Sequence, residues 1–540
     1  MSSNGEAIAD ATTASAKTTT PGAFSPFGHM AFALLWTATL ISNVGTWMHD
    51  VGAGWLMTTL NSSPAVVTLV QAATTLPVFL LALFAGALAD RLDKRRMLIT
   101  INLILFVVIS ALAALVWLEL MTPLLLIAFT LAIGTGAAFM APAWQAIVPQ
   151  LVPREKLKPA IALNSMGINI SRAIGPALAG ILIASVGLAA PFALNAASHV
   201  VIIVALLLWK PEPTTGQKYH GPILGDMATG LRHVRNNDAL KATAIRAGAF
   251  FIFASAYWSL LPLIARQAEG GGSELYGTLM ALIGGGAVTG ALMLPRLQKW
   301  LTSDMAVRAG TLGTIAALLV MALSAAPIAL MLAAFLGGFS WITVLTSFNV
   351  SAQMALPNWV RARGLAVHLM VFFGSMAAGS IIWGQVATVT SIPVALIIAA
   401  VGLALGILVT RRFQVGQADN ADLTPSALWP AAPVLAEGQN ADQRAMVTVE
   451  YQVSADQTAD FLEAVHAFSR ERLRDGATQW FVHESVETPG LFIETFMLPS
   501  WSEHLEQHQR VTQDDAEAQT RLRAFDTRDD GAVVRHYIAP

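Results

Sequence analysis

The sequence predicts an all-α polytopic membrane protein of twelve transmembrane helices in two six-helix bundles, followed by a small α+β domain. Three observations carry this. Of 540 residues, 55% are hydrophobic and only 12% charged, with a mean hydropathy of +0.59; a soluble domain carries roughly 25% charged residues. Twelve stretches are apolar all round over about 20 residues, the length that crosses a bilayer as a helix, whereas open strands would leave their backbone unsatisfied in hydrocarbon. The charge habit then reverses near the end: residues 444–540 hold 9 Lys/Arg and 17 Asp/Glu, the remainder 23 and 17. An acidic soluble module is therefore expected after a membrane core.

Residues 1–26 are polar, small and poor in Lys/Arg, with no apolar core. They read as a disordered cytoplasmic tail and not as a cleavable signal peptide. The first six spans are expected near 31–57, 65–89, 97–118, 123–147, 161–184 and 190–209. The other six fall near 243–265, 276–295, 306–325, 327–352, 364–387 and 392–410. The unit 27–412 thus divides into halves 27–209 and 243–412, joined by residues 210–242. In that connection Leu224, Met227, Leu231 and Val234 recur at helical steps beside Arg232 and Arg235, which predicts an interfacial helix.

Orientation follows from Lys and Arg. Connections assigned to the inside carry eighteen of them, from Arg91 to Arg412, against Arg266 alone outside. The positive-inside rule places both termini in the cytoplasm. The absence of cysteine excludes disulfides, thiolate metal sites and cysteine nucleophiles.

The halves echo each other. Gly86-Ala-Leu before Asp90-Arg91-Leu-Asp93-Lys94 is matched by Gly290-Ala-Leu before Pro295-Arg296-Leu-Gln-Lys299. Gln145-x-x-x-Pro149 is matched by Gln353-x-x-x-Pro357. Each pair falls at the same place in its half, which suggests parallel repeats about a central substrate path. The Gly86-to-Arg96 turn, joining two membrane-length helices, resembles the signature loop between helices 2 and 3 of the major facilitator superfamily (MFS).

Two charges inside spans are the leading site candidates. Arg172 sits about 18 Å into the fifth span at 1.5 Å per residue, where a cation needs a cavity or a partner. Asp50, about 15 Å below the far end of the first span, is the expected proton-coupling acid, with Arg172 modulating it; its protonation can respond to opening of the cavity. Trp36, Trp47, Trp55, Trp144, Trp258, Trp341 and Trp383 could line a pocket for an apolar or aromatic substrate; most of them read as lipid-facing or interfacial, and Trp47, Trp55 and Trp144 are the candidate path liners. His49, His199 and His368 lie in spans without metal-ligand spacing and read as packing residues. Gly175-Pro176 with Gly180 allows close helix approach and a bend in the fifth span.

The segment Gly45-Thr-Trp47-Met48-His49-Asp50-Val-Gly-Ala-Gly-Trp55, the basic loop and the Asn164-to-Gly180 helix together resemble the transmembrane secretion effector branch of that superfamily, over residues 27–412. The Gly175–Gly180 segment resembles the antiporter motif of the fifth helix. The resemblance implies efflux of a small molecule, siderophore-, drug- or metabolite-like, by proton antiport. It also implies that Gly86, Asp90, Arg91 and Arg95 form a conformational latch. Asp93 stands where the family carries Gly.

Residues 413–443 have a linker composition, with Pro425, Pro430 and Pro433. Beyond them the pattern predicts a strand at 446–453, a helix at 456–472, a hairpin of 478–487 with 491–498 about Thr488-Pro489-Gly490, a helix opened by a Ser500-x-x-Glu503 capping box, and a strand at 532–538. This β-α-β-β-α-β order over 444–540 is ferredoxin-like and resembles the antibiotic-biosynthesis monooxygenase type. His504 and His508 lie four apart on one helix face without a third ligand in view. No metal site and no cofactor are expected, and the pair reads as a solvated face or a dimer contact. The expected partners are a small-molecule substrate, protons, the lipid bilayer and a second copy through residues 444–540. Nucleic acid is not among them, because the only soluble domain is acidic. An enzyme is not expected, although a catalytic tail or a non-transporting receptor remain the alternatives.

Overall fold

The computed structural model describes residues 22, 24–210, 223–357, 359–419, 421–426, 433–435 and 439–540. The N-terminal tail lies outside the described residues almost up to Phe24. Thirteen long helices follow: α1 (Met30–Leu60), α2 (Pro64–Arg91), α3 (Lys94–Trp117), α4 (Pro123–Ile147), α5 (Leu157–Ser185), α6 (Ala190–Leu208), α7 (Ile223–Arg235), α8 (Asp238–Gln267), α9 (Ser273–Leu297), α10 (Ser303–Leu323), α11 (Pro327–Met354), α12 (Arg361–Val389) and α13 (Ile392–Val409). All but α7 are long and apolar enough to cross a membrane, twelve candidate spans among the described residues. Their starts have local causes. Pro64, Pro123 and Pro327 open α2, α4 and α11, where a missing N–H costs nothing. Thr122, Thr302 and Ser391 each accept a hydrogen bond from the third residue beyond. The seventh span starts at Asp238 and not near 243, because Asn237 caps it by accepting from the Leu240 N–H.

The two halves touch in the part of the bundle remote from the basic connections. A Cβ placed on Gly277 of α9 would lie 2.8 Å from the Gly180 Cα of α5, so these backbones meet only through glycine. On the other side the Ala65 N–H of α2 donates to Thr388 Oγ1 of α12 at 2.9 Å.

Helix α7 does not lie apart from the protein. Val234 joins a cluster with Leu240, Leu356 and Val360, Gly230 abuts Arg363, and buried His233 meets the Trp359 ring edge-on at 5.5 Å. Leu231 alone among the described residues of the expected apolar stripe is mainly exposed; the Leu224 and Met227 side chains lie outside the described residues.

The C-terminal sheet comprises β1 (Ala445–Gln452), β2 (Gln479–Glu484), β3 (Leu491–Leu498) and β4 (Val533–Ile538), in the order β2-β3-β1-β4 and antiparallel throughout. Helix α14 (Thr458–Arg474) buries Phe461, Val465 and Phe468 with Tyr451, Phe492 and Phe496 of the sheet. That is the expected ferredoxin-like order, with one departure. The second crossover holds two helices, α15 (Trp501–Arg510) and α16 (Gln513–Arg523). Ser500 Oγ accepts from the Glu503 N–H, but the Glu503 carboxylate is drawn to Arg510 and Arg232 instead of closing a capping box. The reciprocal box forms at Thr512 and Asp515 and starts α16.

The described parts of the proline-rich stretch before the sheet are fastened to both the helical bundle and the sheet domain. The Gly416 N–H donates to Ser351 Oγ on α11, and Ser426 and Thr424 bond to the backbone of Val511 and Gln513.

Candidate functional site

Between the halves lies a cavity of about 300 Å³. Spacing on α1 aims it: Trp47, Asp50 and Gly54, at steps of three and four, share one helix face, and all three line the cavity. The opposite face of α1 is made for packing, since Gly45 abuts Ser198 and Gly52 abuts Phe192 of α6. The half 27–209 supplies the polar wall, with Gln71, Thr74 and Thr130 beside Asp50 and Arg172. The other half supplies a mainly apolar wall, with Trp258, Tyr276, Met280, Trp341 and Phe372. Trp258 and Trp341 meet edge-on at 5.3 Å, and the buried Trp258 Nε1 has no hydrogen-bond partner.

Arg172 and Asp50 share this cavity without forming an ion pair among the described residues. The guanidinium carbon of Arg172 stands 5.3 Å from the Trp47 ring centroid, and its Nε is buried without a partner. The fifth-span glycine accounts for the placement: a Cβ on Gly175 would come within 2.6 Å of the Trp47 Cβ. One residue from Pro176, inside the helix, Gly175 therefore lets α5 press against α1, and Gly180 is spent on the α9 crossing.

Other candidates sit elsewhere. Trp55 stacks on Tyr276 with centroids 6.1 Å apart, behind the cavity wall. Trp144 packs in a separate cluster with Phe32, Ile147 and Leu163. His49 is the exception: buried with its ring against the edge of Phe192, it also lines the cavity beside Asp50. His199 Nδ1 is 2.9 Å from Asn102 Oδ1, and His368 Nε2 is 3.1 Å from Asn349 Oδ1.

In the basic loop, the Asp90 and Arg91 side chains lie outside the described residues. Nothing lies within 4 Å of a Cβ placed on Gly86. Arg95 donates from Nε to the Leu206 carbonyl at 2.7 Å and from Nη2 to that of Leu207 at 2.8 Å, capping the C-terminal end of α6. Asp93 occupies extended backbone (φ −63°, ψ 112°) and accepts from the Arg96 N–H at 2.8 Å. No left-handed residue is needed there, and Asp93 serves as the side-chain N-cap of α3.

Sequence spacing missed two features of the tail. One is its seat on the membrane half. Arg232 of α7 pairs with Glu503 at 3.3 Å, Arg510 stacks on Trp359 at 4.5 Å, and Arg470 pairs with Asp238. Burial, then the charges of Arg474, Arg232 and Arg510, lowers His233 at this seat from 6.5 to about 3. The other is a histidine cluster. His504 is buried and not on a solvated face, and His536, in β4 opposite Val447, supplies the third imidazole that the α15 sequence alone does not contain.

Among known proteins, the chain is similar to Staphyloferrin A transporter of Staphylococcus aureus, 27% identical over 267 residues. That alignment covers 48% of this chain and 65% of the relative, so the chain spans less than two thirds of that relative's length. Enterobactin exporter EntS of Salmonella typhi is 26% identical over 321 residues, 59% of this chain and 76% of the relative. The solved structures it resembles include a POT family transporter in complex with 5-aminolevulinic acid (TM-score 0.60, 13% identity, 73% of this chain and 98% of that one). Another is the nucleoside transporter NupG (TM-score 0.58, 14% identity, 71% and 99%). At these identities the likeness is one of fold, the twelve-helix MFS fold. The family likeness was expected over residues 27–412 and runs further, into the tail. The family described as transmembrane secretion effector matches residues 21–540, both helical halves and the C-terminal sheet together, and the chain belongs to that family.

Proposed function

We propose that the protein is a secondary active transporter that exports a small molecule from the cytoplasm by proton antiport, with both termini inside. The observation that carries this reading is Asp50, a carboxyl without an ion-pair partner at the wall of a cavity between two halves. The substrate class is siderophore-, drug- or metabolite-like: an apolar or aromatic body against Trp258, Trp341 and Phe372, with an anionic or carbonyl group toward Arg172. Names of relatives that handle staphyloferrin A and enterobactin support the siderophore end of that range.

The halves are in contact remote from the basic connections, at Gly180–Gly277 and Ala65–Thr388. With the positive-inside orientation, this arrangement closes the cavity to the outside. Substrate enters from the cytoplasm and Asp50 gives up its proton there. The halves then rock about the fixed site, substrate leaves outward and Asp50 is protonated from outside. Arg172 moderates the field around Asp50 from its place on Trp47. The basic loop serves as the latch, with Arg95 tying the start of α3 to the end of α6. The tail pairs two copies through the sheet face away from its helices, where Phe481 and Tyr537 are 50% and 43% exposed.

The test is uptake of siderophores, macrolides and dyes into everted vesicles under an imposed pH gradient, wild type beside Asp50→Asn. Gradient-dependent uptake that Asp50→Asn abolishes supports antiport through Asp50. Gradient-dependent uptake at the wild-type rate in the variant removes Asp50 from the coupling mechanism.

A further inference from the structure

The histidines of the C-terminal sheet domain form a site that the transport reading does not use. His504 and His508 stand one turn apart on α15, so both rings project from the same face. Their Nε2 atoms are 3.2 Å apart. His536 approaches from β4, its ring centroid 4.9 Å from that of His504. One ring nitrogen from each of the three lies within 4.8 Å of the others. Tetrahedral coordination at the usual zinc–nitrogen bond of about 2.0–2.1 Å places ligand nitrogens about 3.3 Å apart, close to the separation of the His504 and His508 nitrogens.

We propose that His504, His508 and His536 form a three-imidazole site for a borderline divalent transition-metal ion, zinc foremost. The donor set decides the class: all-nitrogen imidazole ligation suits zinc and its first-row neighbours and disfavours calcium and magnesium, which need oxygen ligands. No carboxylate joins the group among the described residues. The local fold holds the rings in place. Trp501, the first residue of α15, is buried and packs against both His504 (centroids 5.0 Å) and His536 (5.7 Å). His504 is buried, whereas His508 and His536 are half-buried. The ion is thus held on its protein side by three ligands and keeps a fourth position toward solvent, the arrangement of open rather than structural zinc sites. Glu503 and Arg510 belong to the same short helix and hold the tail against α7 and Trp359, so filling the site fixes the helix that makes the seat.

The experiment uses the full chain in nanodiscs, purified without a polyhistidine tag and dialysed against Co²⁺ or Zn²⁺. Wild type is expected to bind one ion per chain and to give the intense visible absorption of tetrahedral cobalt. His508→Gln and His536→Gln, at the less buried ligands, are expected to lose affinity by about 100-fold or more. His483→Gln, at an exposed histidine of β2, retains it. Protease resistance of the tail in each variant separates loss of a ligand from loss of fold. The proposal is overturned if wild type binds no cobalt, or if a tightly bound ion survives in the folded His508→Gln, His536→Gln double variant.

Discussion

Arg172 stacks on Trp47 and not on a carboxylate: its guanidinium carbon is 5.3 Å from the indole centroid, and Asp50, one turn along α1 from Trp47, lines the same cavity without pairing to it. A partly desolvated cation over tryptophan is held by about 2 kcal/mol, and removing the ring leaves the charge against apolar surface. Trp47→Ala is therefore expected to lower gradient-driven uptake by about 10-fold, while Trp47→Phe, which keeps a weaker ring, retains more. Equal loss in both variants, measured in the same vesicles, would mean that the indole is needed for its shape and not for its face.

The seal remote from the basic connections gives a conformational test. The Ala65 N–H donates to Thr388 Oγ1 at 2.9 Å across the two halves, so the two residues are neighbours and a candidate pair for a cross-link. The chain has no cysteine of its own, so Ala65→Cys with Thr388→Cys yields a single candidate bond. Oxidation should join the halves and lower transport by at least about 10-fold, by trapping one of two states, and reduction should restore it. A cross-linked protein that transports at full rate would show that the halves need not part there.

The seat of the tail should respond to charge and to pH. Arg232 and Glu503 are each about four-fifths buried, at 23% and 22% side-chain exposure, so removing either one leaves the other a largely desolvated charge. Glu503→Ala is expected to cost more than Arg232→Ala, because Glu503 also holds Arg510 at 2.6 Å. His233 adds an acid limb. Its pKa in the seated form is about 3, lowered from 6.5 chiefly by burial. A lowered base favours the seated state above pH 6.5, and that preference is lost as pH falls toward 3. Cleavage between residues 413 and 443 by added protease should quicken with acidity, and His233→Phe should blunt the change. A pH-independent cleavage rate in wild type would count against a buried neutral His233.

How far the site was legible depended on whether its residues were neighbours in sequence. Trp47, Asp50 and Gly54 lie within one stretch of α1, and helical spacing alone puts them on one face. Gly175 and Gly180 announced close packing, though only the structure shows Trp47 and Gly277 as their partners. The aromatic wall was not legible, since many span tryptophans are chemically alike and Trp55 and Trp144 face elsewhere. Pairings across long separations carried no signal at all: Arg232 with Glu503, Arg95 with the α6 carbonyls, and His536 with His504. Each depends on tertiary placement that periodicity does not encode. Asp93 shows the converse case, where a departure from a family pattern is explained by a local rule, the side-chain N-cap of α3.

Glu471 supplies a stability test confined to the tail. Its carboxyl lies between α14 and the second crossover, with Oε2 buried and unpartnered. Burial first, and Asp515 next, raise its pKa from 4.5 to about 8 against the opposing pull of Arg474. Between those values the native tail holds a proton that the unfolded chain has released, so stability falls as pH rises through the window. One such group gives a slope of up to about 1.4 kcal/mol per pH unit, and the loss is complete above pH 8. Glu471→Gln keeps the shape without the charge, so it should match wild type near pH 4.5 and exceed it near pH 8. Pulse proteolysis in urea, following the tail band of the full chain, reads this directly. Parallel losses in wild type and Glu471→Gln across the window would remove Glu471 as the source of the alkaline sensitivity.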